Sequence, residues 1–121
     1  MELLAQDFHF YNNGVFKTIS KLSPEGWFSD LKKVEPSIRI FGTQEQINEA
    51  LDTYVELTGM NVDECYDFKP EPKGSYWYEN RKRRFGEQEA IDQNEIVENK
   101  LKEYKKRYNK LSNNKALITT I

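Results

Sequence analysis

The sequence predicts an α+β fold: a small antiparallel sheet, made of an N-terminal hairpin plus one or two short strands, packed with helices and followed by a long charged C-terminal helix. Three observations predict it. A turn signal, Asn12-Asn13-Gly14, separates two runs rich in aromatic and β-branched residues. A capped, amphipathic stretch opens at Thr43. No helix breaker interrupts the chain from Gly86 to Leu111.

The elements follow in order. Ala5–Leu22 reads as the hairpin, with Phe8 and Phe10 alternating with His9 and Tyr11, and Val15, Phe16 and Ile19 on the return strand. Residues of both faces are aromatic or β-branched, so both faces are expected to be covered. Ser23-Pro24-Glu25 starts a short helix whose apolar face is Trp27, Phe28, Leu31 and Val34. Ser37–Phe41 is a strand with Ile38 and Ile40 on one face, ended by Gly42. Thr43 and Gln46 form a capping box for a helix that runs to Thr58, with Gly59 as its stop. Asn61–Phe68 is expected to hold one more helical turn, and Pro70, Pro72 and Gly74 mark a loop. Ser75–Tyr78 reads as a further strand, because Tyr-Trp-Tyr has high strand propensity, and Arg81–Arg84 as a basic turn. Ser112–Ile121 reads as a tail whose apolar end, Ala116-Leu117-Ile118 with Ile121, is unusual for a frayed terminus. The organisation expected is a compact body over 1–78, the basic turn and long helix over 79–111 within the same single domain, and a tail over 112–121.

The long helix is polarised. Its first half carries Glu87, Glu89, Asp92, Glu95 and Glu98 without a base; its second half carries six bases against Glu103 alone. Acids near a helix N-terminus and bases near its C-terminus complement the macrodipole, so the order of charges itself favours helix. A seam at coiled-coil spacing runs along it: Ala90, Val97, Tyr104 and Leu111 at d positions, Asn94, Leu101 and Tyr108 at a positions. The seam either packs on the chain's own sheet or pairs two copies. The charge order favours an antiparallel homodimer in the second case.

Charge and cysteine usage narrow the function classes. Residues 1–78 hold thirteen acids and seven bases (net −6), and residues 79–121 seven acids and eleven bases (net +4). An acidic body with a basic helical end is therefore the pattern to explain. The single cysteine, Cys65, excludes an internal disulfide. With no basic-then-apolar leader and no apolar run near a membrane span, the expected setting is the reducing cytoplasm, with no membrane contact.

Catalytic signatures are missing. There is no Walker loop, dinucleotide fingerprint or nucleophile elbow. His9 has no motif partner, and a His9–Cys65 pair would need the fold to bring the two together. Asp63, Glu64, Cys65 and Asp67 lack the glycine and distal glutamate of a calcium loop. Glu71-Pro72-Lys73 resembles a nuclease element only superficially, since proline would disrupt the strand that such an element needs. No cofactor or metal is expected, and the chain is expected not to be an enzyme.

Binding surfaces remain. Glu45, Glu49, Asp52 and Glu56 recur at helical spacing as an acidic stripe with no base inside it. Like charges at this spacing cost only about 0.2–0.5 kcal/mol per pair, so the stripe is either a solvated face or a surface for a basic partner. It could also meet the basic half of the long helix in the same molecule. Tyr76, Trp77 and Tyr78 beside Arg81, Lys82, Arg83 and Arg84 could stack on bases and neutralise phosphates, but no RRM, KH, zinc-finger or helix-turn-helix signature accompanies them. The leading expectation is a small module that binds another protein, an inhibitor or adaptor of the kind phages and mobile elements encode. The alternatives are a nucleic-acid-binding protein and a structural assembly component locked by the long helix and the apolar tail.

Overall fold

A computed structural model of the chain describes residues 2–11, 37–111 and 115–121. Four strands, β1 (Leu4–Tyr11), β2 (Ser37–Gly42), β3 (Asn61–Asp67) and β4 (Leu117–Thr120), form one antiparallel sheet in the order β3-β1-β2-β4. Three helices complete it: α1 (Gln44–Thr58), α2 (Tyr76–Phe85) and α3 (Glu87–Lys110). This is the α+β architecture that the sequence predicts. The return strand of the expected hairpin and the helix expected at Ser23–Val34 lie outside the described residues. The described neighbours of β1 are β2 and β3.

Side-chain alternation divides the core into two layers. Phe8, Phe10, Ile38, Ile40 and Ile118 face α1 and meet its Ile47, Ala50 and Tyr54 in one cluster. Ala5, Phe41 and Leu117 face the other way and meet Tyr104 of α3, with Leu101, Tyr108 and Leu111 packed alongside. The sheet is thus covered by α1 on one face and by the second half of α3 on the other.

The α1 boundaries follow from the local signals. Thr43 Oγ1 accepts from the Gln46 N–H, the Gln46 side chain accepts from the Thr43 N–H at 3.1 Å, and Gly59 closes the helix at φ 71°. Leu51 and Val55 are half-buried against the core, and Leu57 is exposed.

Three segments depart from the sequence reading. Asn61–Asp67 is not a helical turn but the edge strand β3, held by pairing with β1. All seven of its residues are exposed, so no apolar alternation marks it. Asp63 is an extra residue where the register shifts between His9 and Phe10, a bulge of the kind common at sheet edges. Ser75–Tyr78 is not a strand: Ser75 caps α2, and the basic run Arg81–Arg84 lies inside that helix. The apolar end is not a tail: β4 pairs with β2 along Leu117–Thr120, and Ala116, Leu117 and Ile118 are buried.

One polar contact sits within the α3-side layer. Arg39 on β2 faces Asp7 on β1 in direct register. Its Nε and Nη2 donate to the two Asp7 carboxylate oxygens at 2.6 and 2.9 Å, and its Nη1 donates to the Tyr104 hydroxyl at 3.0 Å. The guanidinium lies 3.6 Å from the centre of the Phe68 ring. Burial opposes the Arg39 charge, but the hydrogen bonds to Asp7 and Tyr104 and the nearby carboxylate outweigh it and raise the pKa above its ordinary value.

Two stability predictions follow from these layers. Leu117→Ala is expected to cost about 2–5 kcal/mol in urea unfolding, because a fully covered leucine leaves a cavity. A free tail would give no change. Arg39→Met leaves Asp7 unpaired and is expected to cost about 3 kcal/mol, near the low end for breaking a buried pair, since both side chains keep some water contact. In a double-mutant cycle with Asp7→Leu, the two changes together should cost clearly less than their sum. Additive losses would show that the pair is not coupled.

Candidate functional site

The α2 helix exists because its ends are well made. The Ser75 hydroxyl accepts from the Tyr78 N–H, Glu79 lies in the first turn, and Lys82, Arg83 and Arg84 lie in the last. Gly86 then turns the chain directly into α3 at φ 94°, a backbone conformation that other residues rarely adopt. Residues at helical spacing divide the α2 surface. Tyr78 is turned inward and is 3 % exposed; Tyr76, Trp77 and Phe85 are 71 %, 62 % and 65 % exposed. The Tyr76 and Trp77 rings meet edge to face at 5.0 Å.

An open cavity of about 670 Å³ lies beside these aromatics. One wall is α2, through Trp77, Arg81, Arg84 and Phe85. The opposite wall is the end of β3 and the chain after it, from Tyr66 to Lys69 and Glu71. The first half of α3 closes it with Ala90, Gln93, Asn94 and Val97. Asn94 ties two of these walls together: its Oδ1 accepts from the Glu71 N–H and its Nδ2 donates to the Glu71 carbonyl, both at 2.8 Å. Phe68 is held from behind by Arg39. The Tyr78 hydroxyl is buried with no hydrogen-bond partner among the described residues, a local cost that packing must offset.

The charges around the cavity are mixed. Lys69, Arg81 and Arg84 line it, and among the described residues none has a carboxylate within ion-pairing distance. Asp67 and Glu71 also line it. The five acids in the first half of α3 are all exposed, and none of them lines the cavity. Arg83 donates instead to Asn80 at 2.8 Å, and Lys82 is exposed outside the cavity lining.

The structure places the other predicted residues as follows. Glu45, Glu49, Asp52 and Glu56 are exposed on α1, and no ion pair with the basic half of α3 joins them among the described residues. They sit on the opposite side of the sheet from α2, because α1 and α3 cover opposite faces. Of the seam, Ala90, Val97 and Tyr104 are buried within the chain, Leu101, Tyr108 and Leu111 pack on the sheet, and Asn94 holds the Glu71 backbone.

His9 and Cys65 do not meet. Cys65 pairs with Phe8 and shares its face, whereas His9 points to the other side, where its Nδ1 lies 2.8 Å from Ser37 Oγ and its ring meets Tyr66 edge-on. Burial and the neighbouring Asp67 and Asp7 carboxylates push the Cys65 thiol above its ordinary pKa, which disfavours a reactive thiolate. The hydrogen bond from the Tyr66 hydroxyl to Glu64 raises its pKa likewise. Among the described residues no cluster of His, Cys, Asp and Glu has a metal-binding arrangement, and no helix is long and apolar enough to cross a membrane.

No family model, curated protein or solved structure matches the chain. The functional reading therefore rests on the geometry alone. Sequence reasoning picked out Trp77, Arg81 and Arg84 but missed Phe68, Lys69, Phe85 and Gln93 as their neighbours. Phe85 was findable: with α2 read as a helix, it falls two turns from Trp77 on the same side, together with Arg81. The pairing of Asn94 with Glu71 has no local signal.

If Asn94 fixes the cavity wall, Asn94→Ala should lower stability by about 1–3 kcal/mol, the cost of leaving buried backbone groups unpaired. Amide hydrogen exchange at Glu71 should accelerate while that of the β1–β2 ladder stays unchanged. Unaltered exchange at Glu71 would show that the wall is held by something else.

Proposed function

We propose that the chain is a small protein-binding module, an inhibitor or adaptor that acts by covering a partner's surface, with α2 as its anchor. The observation that carries this reading is the exposure of Tyr76, Trp77 and Phe85 on one ten-residue helix beside an open cavity. Large aromatics left in water at this density are unfavourable for an isolated chain and favourable once a partner covers them. Trp, Tyr and Arg are also the residues that dominate binding energy at protein interfaces, and α2 presents all three. The acidic stripe on α1 offers a second, separate surface for a basic partner. We propose binding rather than catalysis as the role of both.

A nucleic-acid role is the second reading, favoured by one observation: Trp77 is exposed beside Arg81 and Arg84 instead of lying under the sheet. A base could stack there. Asp67 and Glu71 weigh against it, since they stand in the cavity wall where a phosphate backbone would pass.

Capture from a host lysate, with and without nuclease treatment and read by mass spectrometry, separates the two. Trp77→Ala and Tyr76→Ala are expected to leave the melting curve nearly unchanged, because exposed substitutions usually shift stability by no more than about 0.5 kcal/mol. Trp77→Ala is expected to weaken a captured protein partner about 30-fold or more, the size of a loss of about 2 kcal/mol at an interface anchor. Capture that survives nuclease but ignores both substitutions would remove α2 from the interface. Glu45→Lys with Glu49→Lys would then test the stripe. Capture lost on nuclease treatment would favour nucleic acid.

A further inference from the structure

We infer that the cavity between α2, the end of β3 and the first half of α3 receives a bulky apolar side chain of a partner segment that carries carboxylates on either side of it. The inference rests on the protein-binding reading and states the chemistry of the partner. Three features lead to it.

The first is shape. A volume of about 670 Å³ is in the range of true ligand pockets and exceeds what one buried side chain needs, so it admits a side chain and part of its backbone. Its walls are held before binding: Asn94 grips Glu71, and Arg39 stacks behind Phe68. A preformed site loses less entropy on binding than one that must be ordered.

The second is lining. Phe68 and Tyr66 on one wall and Trp77 and Phe85 on the other give the cavity opposed aromatic surfaces, and Ala90 and Val97 give it an apolar back. These groups favour an apolar or aromatic insert, while polar lining residues such as Lys69, Arg81, Arg84 and Gln93 are available to polar groups beside it.

The third is charge. Lys69, Arg81 and Arg84 have no carboxylate of their own within ion-pairing distance among the described residues. Arg81 and Arg84 are three residues apart, one turn along the same helix side, so two carboxylates flanking the insert could each meet a guanidinium. The same lining decides against a nucleic-acid strand. Asp67 and Glu71 stand in the wall itself. A phosphodiester carries a negative charge at every unit and cannot avoid these acids. A peptide can place its carboxylates over the cations and leave neutral positions over the acids.

The test uses the full chain and three fluorescein-labelled probes followed by polarisation. They are an acidic peptide with phenylalanine between glutamates, its counterpart with lysines in place of the glutamates, and a twelve-residue oligothymidylate. The acidic peptide is expected to bind at least about 10-fold tighter than the lysine peptide. Arg81→Glu with Arg84→Glu should reverse that preference. Lys102→Glu with Lys106→Glu, an equal charge change on the far half of α3, should preserve it. Equal binding of the two peptides, a preference that survives Arg81→Glu with Arg84→Glu, or oligothymidylate binding tighter than the acidic peptide would each overturn the inference. If the peptides fail while Trp77→Ala still abolishes partner capture, the partner's chemistry is wrong and the protein-binding reading stands. If capture ignores Trp77→Ala, the protein-binding reading of α2 fails as well.

Discussion

The Asp7–Arg39 pair organises the half of the molecule that bears the site. The two residues face each other across β1 and β2, and the guanidinium also bonds Tyr104 of α3 and stacks on Phe68. One side chain therefore touches two strands, the chain leaving β3 and the long helix. A charge in this layer is tolerated because three of the five N–H donors are used, two by Asp7 and one by Tyr104, and the Phe68 ring meets the guanidinium. An apolar residue here would fill the space but would not specify where α3 lies along the sheet.

That contact has consequences for the cavity. Phe68 leads into Lys69 and Glu71, and the linker would be free to swing if it were held at one end only. Arg39 holds it at Phe68 and Asn94 at Glu71. Between these two fixed points the segment has little room to move, so its side chains present a defined wall to α2. The cavity wall thus borrows its rigidity from the sheet on one side and from α3 on the other, a better basis for the proposed recognition than a loop alone.

How much of this was legible in the sequence depends on whether the cause was local. The capping box at Thr43 and Gln46 and the stop at Gly59 mark α1, the alternation of Ile38 and Ile40 up to Gly42 marks β2, and the unbroken, charge-ordered run to Leu111 marks α3; each of these causes is local. β3 was not legible, because its seven exposed residues carry no alternation and become a strand only through hydrogen bonds to β1. β4 showed its apolar character but not its partner β2, more than seventy residues earlier in the chain. At Tyr76-Trp77-Tyr78, strand propensity pointed one way and the Ser75 cap the other; the cap and the burial of Tyr78 prevailed. The aromatic and basic members of the site could be picked out as a set. Their arrangement around a cavity could not, since Phe68 and Asn94 come from other elements.

The polarity of α3 gains a second meaning from this arrangement. A helix of 24 residues is about 36 Å long, and the contacts that seat it on the sheet come from Leu101 onward. Its first half therefore has other work: it backs α2 and the cavity through Ala90, Asn94 and Val97. The acids on that half complement the helix dipole, and they belong to the helix that packs against α2. They lower the positive potential of α2 without forming close ion pairs with Arg81 or Arg84. An isolated helix with Arg81-Lys82-Arg83-Arg84 and three exposed aromatics would attract any polyanion. With acids on the adjacent helix, long-range attraction is reduced, while Arg81 and Arg84 stay without a close carboxylate among the described residues. On the proposed protein-binding reading, such a surface would discriminate by the placement of charge rather than by its amount, the property that a selective protein contact requires.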